Sequence, residues 1–160
     1  MLNKNLEENQ IKIALQEVKD AMKSSHEMGN VLDEKTHSII KVMLSIIFGL
    51  SVFIFVYESS IKILFPSFIL MFGAFFSLII LCFSYKSRKY HLYGDLMKNI
   101  EKEEFYYHDY KGMLIYLIKT YQIKIEYNTK INDTKGALVD WSIFTAIFFA
   151  FMAVIIYFLL

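Results

Sequence analysis

Residues 63–85 read ILFPSFILMFGAFFSLIILCFSY, a run without a charged side chain. A helix that crosses the hydrocarbon core of a bilayer needs about 20 apolar residues. Two more uncharged runs lie on either side, at residues 42–57 and 141–160, while charge is concentrated in residues 1–41 and 86–140. The polar remainder of a 160-residue chain is too short to cover three such helices. The sequence therefore predicts an integral membrane protein with three membrane-spanning helices.

The order of these runs predicts an all-α architecture, because no strand-like alternation of apolar and polar residues occurs in the sequence. Residues 42–57 are slightly short for a span, and the deficit closes if the helix begins before Lys41, whose ammonium then reaches the interface. The expected segments are a cytoplasmic amphipathic helix (1–29), a first span with its cytoplasmic entry (30–57), a short external loop (58–62), a second span (63–85), a cytoplasmic helical hairpin (86–136) and a third span (137–160).

Two local sequence patterns predict helices in the segments outside the spans. Gly29 is the expected stop of the N-terminal helix, since glycine is common just after a helix C-terminus. A second helix carries an apolar stripe with steps of three or four residues, which we expect to be buried against other helices. The stripe consists of Tyr110, Leu114, Leu117, Tyr121 and Ile125.

Lysine and arginine are distributed asymmetrically about the predicted spans. Residues 1–41 hold six lysines and residues 86–140 hold nine lysines and one arginine, whereas the loop between the first two spans has only Lys62. The positive-inside rule places the N-terminus and residues 86–140 in the cytoplasm.

One group of candidate site residues lies where the first and third spans begin. Asp33 and Glu34 precede the first span, and Asn132 and Asp133 precede the third. These residues are suited to capping a helix N-terminus, with Lys35 and Lys135 as interface anchors. The alternative is that they line a polar site for an anionic ligand, since ionisable groups close to a membrane are often functional.

A second group follows the second span, in the sequence Lys86-Ser87-Arg88-Lys89. Its basic residues fit the positive-inside rule and contact with anionic lipid headgroups. Arg88 is the one arginine of the chain, and its planar guanidinium is also suited to bidentate binding of a phosphate. The tentative ligand residues are therefore Arg88, Lys35, Lys135, Asp33, Asp133 and Lys86.

The sequence offers no catalytic apparatus and no cofactor motif. Cys82 is the single cysteine, so the chain holds neither an internal disulfide nor a CxxC metal site. The four histidines lack the spacing of a metal site, and no phosphate-binding glycine motif occurs. A net charge of +1 gives no case for a nucleic acid polymer as a partner. We expect a non-enzyme without cofactors.

In its order of elements and short motifs, the chain resembles the transmembrane effector family of the Pycsar antiphage systems. The resemblance covers roughly residues 28–160. It rests on the Leu32-Asp33-Glu34-Lys35-Thr36 element that enters the first span, the tight two-span hairpin, and a final helix that passes through Lys135 to Trp141. In the family a small residue usually follows the first lysine, where this chain has Thr36, and an arginine often found after the second lysine is absent.

The resemblance implies an effector in the bacterial inner membrane that senses cyclic UMP or cyclic CMP from a partner cyclase. Its response would be homo-oligomeric assembly in the bilayer and loss of membrane integrity, which kills the infected cell before phage mature. Three rival functions remain open: a ligand-independent pore former or holin-like toxin with the same spans, a related two-span effector tied to oligonucleotide-type signals, and a membrane subunit that recruits a soluble partner through the Tyr110–Ile125 stripe.

Overall fold

A computed structural model describes residues 2–56, 60–85 and 109–160, with side chains from Asn9 onward. These residues form three helices: α1 (Leu2–Val56), α2 (Ile61–Tyr85) and α3 (Tyr110–Leu159). No strand occurs in the described ranges, which confirms the all-helical prediction. Each helix contains a stretch long and apolar enough to cross a membrane.

The expected helix stop at Gly29 is wrong, because α1 continues without interruption from Leu2 to Val56. No glycine in the described residues has a positive φ, so Gly29 does not adopt the left-handed conformation that ends many helices. Gly29 is buried. Glycine inside a helix costs about 1 kcal/mol relative to alanine, an amount that packing of the flanking turns readily offsets.

Helix α3 also continues across residue 136, the expected boundary between the hairpin and the third span. This continuity agrees with the final helix through Lys135 to Trp141 that the resemblance implies. Helix α3 begins after Asp109, whose carboxylate accepts a hydrogen bond from the Gly112 backbone N–H at 2.8 Å. Asp109 is therefore an N-cap, and Gly112 belongs to the first turn of α3. The first half of the predicted hairpin, residues 86–108, lies outside the described residues.

The chain divides into two compact units. The first combines Met1–Asn30 with Arg88–Asn132, and the second combines Val31–Ser87 with Asp133–Leu160.

The core of the first unit is formed by α1 and α3. Its buried residues are Leu15 and Met22 from α1 with Leu114 and Tyr121 from α3. Both pairs are seven residues apart, the spacing of a coiled-coil seam. Leu117 and Ile125 pack at the edge of this cluster, whereas Tyr110 is 52% exposed beside the Lys12 ammonium, which lies 5.7 Å from the ring centroid. The prediction that the stripe packs against another helix is confirmed for four of its five residues, of which Leu114 and Tyr121 are buried and Leu117 and Ile125 partly buried.

In the second unit, α2 packs closely on α3 through small residues. The Ser77 hydroxyl donates to the Ser142 carbonyl at 2.8 Å, and the Ser142 hydroxyl donates to the Ser77 carbonyl at 3.3 Å. Gly73 lies against Phe149, so closely that a methyl group at Gly73 would overlap the Phe149 side chain. Small residues and interhelical hydrogen bonds of this kind drive helix association where the surroundings are apolar.

Substitution of Gly73 by alanine is expected to destabilise the α2–α3 contact. The new Cβ would lie 2.3 Å from Phe149 Cβ, an atom too close to its backbone to swing aside, so the helices must separate. Overpacking of this kind costs about 1–3 kcal/mol. Gly49→Ala is the matched control, since a Cβ there meets nothing within 4 Å and alanine favours the helix. The free energy of unfolding of the two variants is compared in mixed micelles. Equal stability of Gly73→Ala and Gly49→Ala would contradict the observed packing.

Candidate functional site

The second unit brings together two of the sequence-predicted site residues, Asp33 and Lys135. The Lys135 ammonium donates to an Asp33 carboxylate oxygen at 2.5 Å and forms an ion pair with it. The partners are 102 positions apart in the chain, on α1 and α3 respectively. This pair is a charge-assisted hydrogen bond, the stronger class of hydrogen bond in proteins.

Burial of the pair is strongly asymmetric. The Lys135 side chain is 4% exposed and the Asp33 side chain is 39% exposed. The helix positions explain the difference, because Lys135 occupies the buried face of α3 that also holds Val139 and Ser142. A buried ammonium requires an anion nearby. Asp33 supplies that anion from a position that solvent reaches.

Two hydroxyl groups, from α1 and α2, form hydrogen bonds close to Asp33 and Lys135. Thr36, fully buried on α1, donates its hydroxyl to the Leu32 carbonyl at 2.7 Å. The Ser84 hydroxyl, near the end of α2, donates to the Lys135 backbone carbonyl at 3.3 Å. All three helices therefore contribute to the region around Lys135.

The other predicted site residues do not join this pair. Lys35 and Asp133 are exposed on their helices. Asn132, grouped with them in the sequence analysis, is buried in the first unit, where its side-chain amide donates to the Ser25 carbonyl at 2.8 Å. Arg88 and Lys86 lie outside the described residues, so the structure does not place them.

Sequence reasoning missed a second buried cation, Lys124, in the first unit. Lys124 is 6% exposed and follows buried Tyr121 by three residues, while Asn128, one turn further on, is fully buried. Within the ranges that the structure describes, the Lys124 ammonium and the Ser25 hydroxyl have no hydrogen-bond partner. The signal was present in the sequence, because the three- and four-residue steps of the apolar stripe continue through Lys124 to Asn128.

The described residues offer no cluster of three or more histidine, cysteine or acidic side chains that would hold a metal ion. Two surface cavities of the second unit are mostly apolar. One of about 430 Å³ lies between α2 and α3 and is lined mainly by aliphatic and aromatic side chains. Another of about 400 Å³ is bounded by Ala137, Asp140, Trp141 and Phe144 and holds one carboxylate.

No protein-family model matches this chain, and neither the curated proteins nor the solved structures include a match.

Proposed function

We propose that this chain is a non-enzymatic membrane effector that senses a small phosphate-bearing signal and responds by disrupting the bilayer. The proposed signal is a cyclic pyrimidine mononucleotide, cyclic UMP or cyclic CMP, supplied by a partner cyclase. The proposed setting is antiphage defence by abortive infection at the bacterial inner membrane, with the N-terminus in the cytoplasm. One observation carries the proposal: the buried Lys135 ammonium held by the half-exposed Asp33 carboxylate.

Charge balance makes this pair suitable for sensing a monoanion. A cyclic mononucleotide carries one negative charge on its phosphate, the same charge as the Asp33 carboxylate. Its phosphate can therefore replace Asp33 at Lys135 without leaving an uncompensated charge, which would be costly in a buried position. Because Asp33 is 39% exposed, the released carboxylate can turn to solvent. The exchange would break the ion pair between α1 and α3 while keeping Lys135 neutralised.

The proposed effect on the bilayer follows from the position of the Asp33–Lys135 pair along α1 and α3. Asp33 precedes the apolar part of α1 by about two turns, and Lys135 precedes the apolar part of α3 by a similar distance. Loss of the pair changes the packing at the entry of two proposed spans. A ligand shifts an equilibrium between two helix packings by the difference in its affinity for them. Tighter binding at Lys135 in the packing without the ion pair is therefore sufficient to favour that packing.

The rival functions have less support. A soluble partner recruited through the Tyr110–Ile125 stripe would need that stripe exposed, yet Leu114 and Tyr121 are buried in the core of the first unit. A ligand-independent pore former gives no reason for a lysine buried at an ion pair. The related two-span effector does not fit the third apolar helix, Tyr110–Leu159.

The test is growth of cells that produce the chain together with a cyclase for cyclic UMP or cyclic CMP. Wild type is expected to arrest growth only when the cyclase is active, and Lys135→Met to abolish the arrest at matched membrane levels. Lys119→Met is the control, since Lys119 is an exposed lysine of the same helix. Arrest without a cyclase, or undiminished cyclase-dependent arrest in Lys135→Met, would overturn the proposal.

Two substitutions of Arg88 are tested in the same growth assay. If the guanidinium binds the phosphate through two hydrogen bonds, Arg88→Lys is expected to impair cyclase-dependent arrest as Arg88→Ala does. If Arg88 only sets topology, Arg88→Lys should behave like wild type, because the positive-inside rule depends on charge and not on its shape.

A further inference from the structure

We propose that the groove between the beginning of α2 and the end of α3 binds one anionic phospholipid, with an acyl chain along the groove and the phosphate at the Lys62 ammonium. The inference goes beyond the proposed function and rests on only one part of it, the placement of the three apolar helices in a bilayer. Neither a cyclic nucleotide nor a second copy of the chain takes part.

The groove continues the contact between α2 and α3, which are antiparallel within the second unit. Their contacts run from Ser84 with Lys135 at one end to Gly73 with Phe149 further along. Beyond these contacts, where α2 begins and α3 ends, lies the surface cavity of about 430 Å³. It extends over residues 63–70 of α2 and 150–158 of α3, or about 10–12 Å of each helix. Its length follows the helix axes, which is also the direction of acyl chains in a bilayer that these helices cross.

The lining of the groove suits a hydrocarbon chain. Two small residues are its buried floor, Ala153 at 3% exposure and Ser67 at 7%. The Ser67 hydroxyl donates to the Ile63 carbonyl at 2.8 Å, so its hydrogen bond is made within α2. Large exposed apolar side chains, among them Ile63 and Phe158, stand beside this floor. Among the described residues that line the groove, none carries a charge. The volume is within the range of ligand sites in proteins, about 300–1,000 Å³.

An ammonium group lies at one end of this apolar groove. Lys62 Nζ is 5.7 Å from the centre of the Tyr157 ring, and Tyr157 lines the groove. The ring face attracts the cation, while an ammonium with three N–H donors can still bind an anion. Lys62 is exposed, so an anion reaches it from outside. A phospholipid matches both parts of the site, because its phosphate is joined to a narrow apolar chain.

Pro66 supplies a second polar group at the same end. Proline has no backbone N–H, so the Lys62 carbonyl lacks the donor that the residue four positions later gives in a regular helix. Pro66 itself lines the groove. The glycerol headgroup of phosphatidylglycerol has hydroxyl donors for such a carbonyl, whereas a choline headgroup has none and carries a positive charge. The site is therefore expected to prefer phosphatidylglycerol to phosphatidylcholine.

Native mass spectrometry of the whole protein, released from micelles that contain known amounts of lipid, tests the headgroup end. Wild type is expected to bind one phosphatidylglycerol more tightly than phosphatidylcholine. Lys62→Met should bind phosphatidylglycerol about fivefold more weakly, the effect of one basic residue close to anionic lipid, and should lose most of this preference. Lys119→Met is the control, since Lys119 is an exposed lysine of the first unit. Equal affinity of wild type and Lys62→Met for phosphatidylglycerol would overturn the proposal.

The position of the acyl chain is tested with a phosphatidylglycerol that carries a photoactivatable group on that chain. In wild type, the probe is expected to label peptides from both sides of the groove, in α2 and in α3. Ala150→Leu adds bulk inside the groove and should reduce this labelling several-fold. Ala146→Leu adds the same bulk one turn earlier, at a residue that does not line the groove, and should leave the labelling unchanged.

Two outcomes of the labelling experiment would overturn the proposal. One is labelling that Ala150→Leu leaves unchanged. The other is labelling that appears only after dilution to monomers, since a second copy of the chain would then be the occupant of the groove. Both measurements omit cyclic nucleotides, so lipid binding in a protein that does not respond to a cyclase would leave this proposal standing and count against the proposed function alone.

Discussion

Substitution of Asp33 by alanine is expected to lower the free energy of unfolding by about 3–5 kcal/mol, the usual cost of leaving a buried charge without its partner. The reason is the asymmetry of the ion pair. Without Asp33, the Lys135 ammonium stays in a position where its side chain is only 4% exposed. Substitution of Lys135 by methionine should instead change stability by about 1 kcal/mol or less, because the remaining Asp33 carboxylate is 39% exposed and can be hydrated.

Unfolding of both variants in mixed micelles, followed by circular dichroism, measures this difference. Asp133→Ala is the matched control, since Asp133 is an exposed aspartate close in sequence to Lys135 and should have little effect. The asymmetric burial of the two side chains would be contradicted if Lys135→Met lost more stability than Asp33→Ala, or if Asp33→Ala resembled the control.

Substitution of Lys124 by methionine is expected to raise the free energy of unfolding by about 1–4 kcal/mol, the range seen when buried charged groups are replaced by apolar ones. Lys124 is 6% exposed, and its ammonium has no hydrogen-bond partner in the parts of the chain that the structure describes. Methionine is similar in length and flexible enough to fill the same space. The variant therefore removes a desolvated charge and leaves no cavity.

The measurement is the same unfolding experiment, with Lys119→Met as the control. Lys119 lies on the same helix but is exposed, so its replacement should change stability by less than about 0.5 kcal/mol. A loss of stability in Lys124→Met would mean that the ammonium is satisfied in the folded protein, and the description of an uncompensated buried cation would be wrong.

The helices were predictable because their signals are strong and local. The charge-free run at residues 63–85 and the stripe from Leu114 to Ile125 each follow directly from spacing. The break at Gly29 was mispredicted because a helix stop was inferred from one residue, whereas burial of neighbouring turns such as Met22 and Thr36 keeps α1 continuous.

The candidate site was only partly predictable, since it depends on contacts between distant parts of the chain. Asp33 and Lys135 were identified because both precede apolar runs, but nothing local indicates that they bond to each other while Lys35 and Asp133 stay exposed. Lys124 was missed because a lysine in a polar stretch is ordinarily assigned to the surface. Its place in the spacing of the apolar stripe was the available signal, and the stripe was not extended to a charged residue.

The most direct test of the proposed nucleotide binding at Lys135 is calorimetry. It measures binding of cyclic UMP and cyclic CMP to the whole protein in lipid nanodiscs, for wild type and for Lys135→Met. A charge-assisted hydrogen bond to phosphate contributes roughly 1.5–3 kcal/mol, so the variant should bind about 10- to 150-fold more weakly. Saturable binding of one of the two nucleotides to wild type, weakened by this factor in Lys135→Met and unchanged in Lys119→Met, is the predicted result. Equal affinity in wild type and Lys135→Met, or no binding of either nucleotide to wild type, would contradict it.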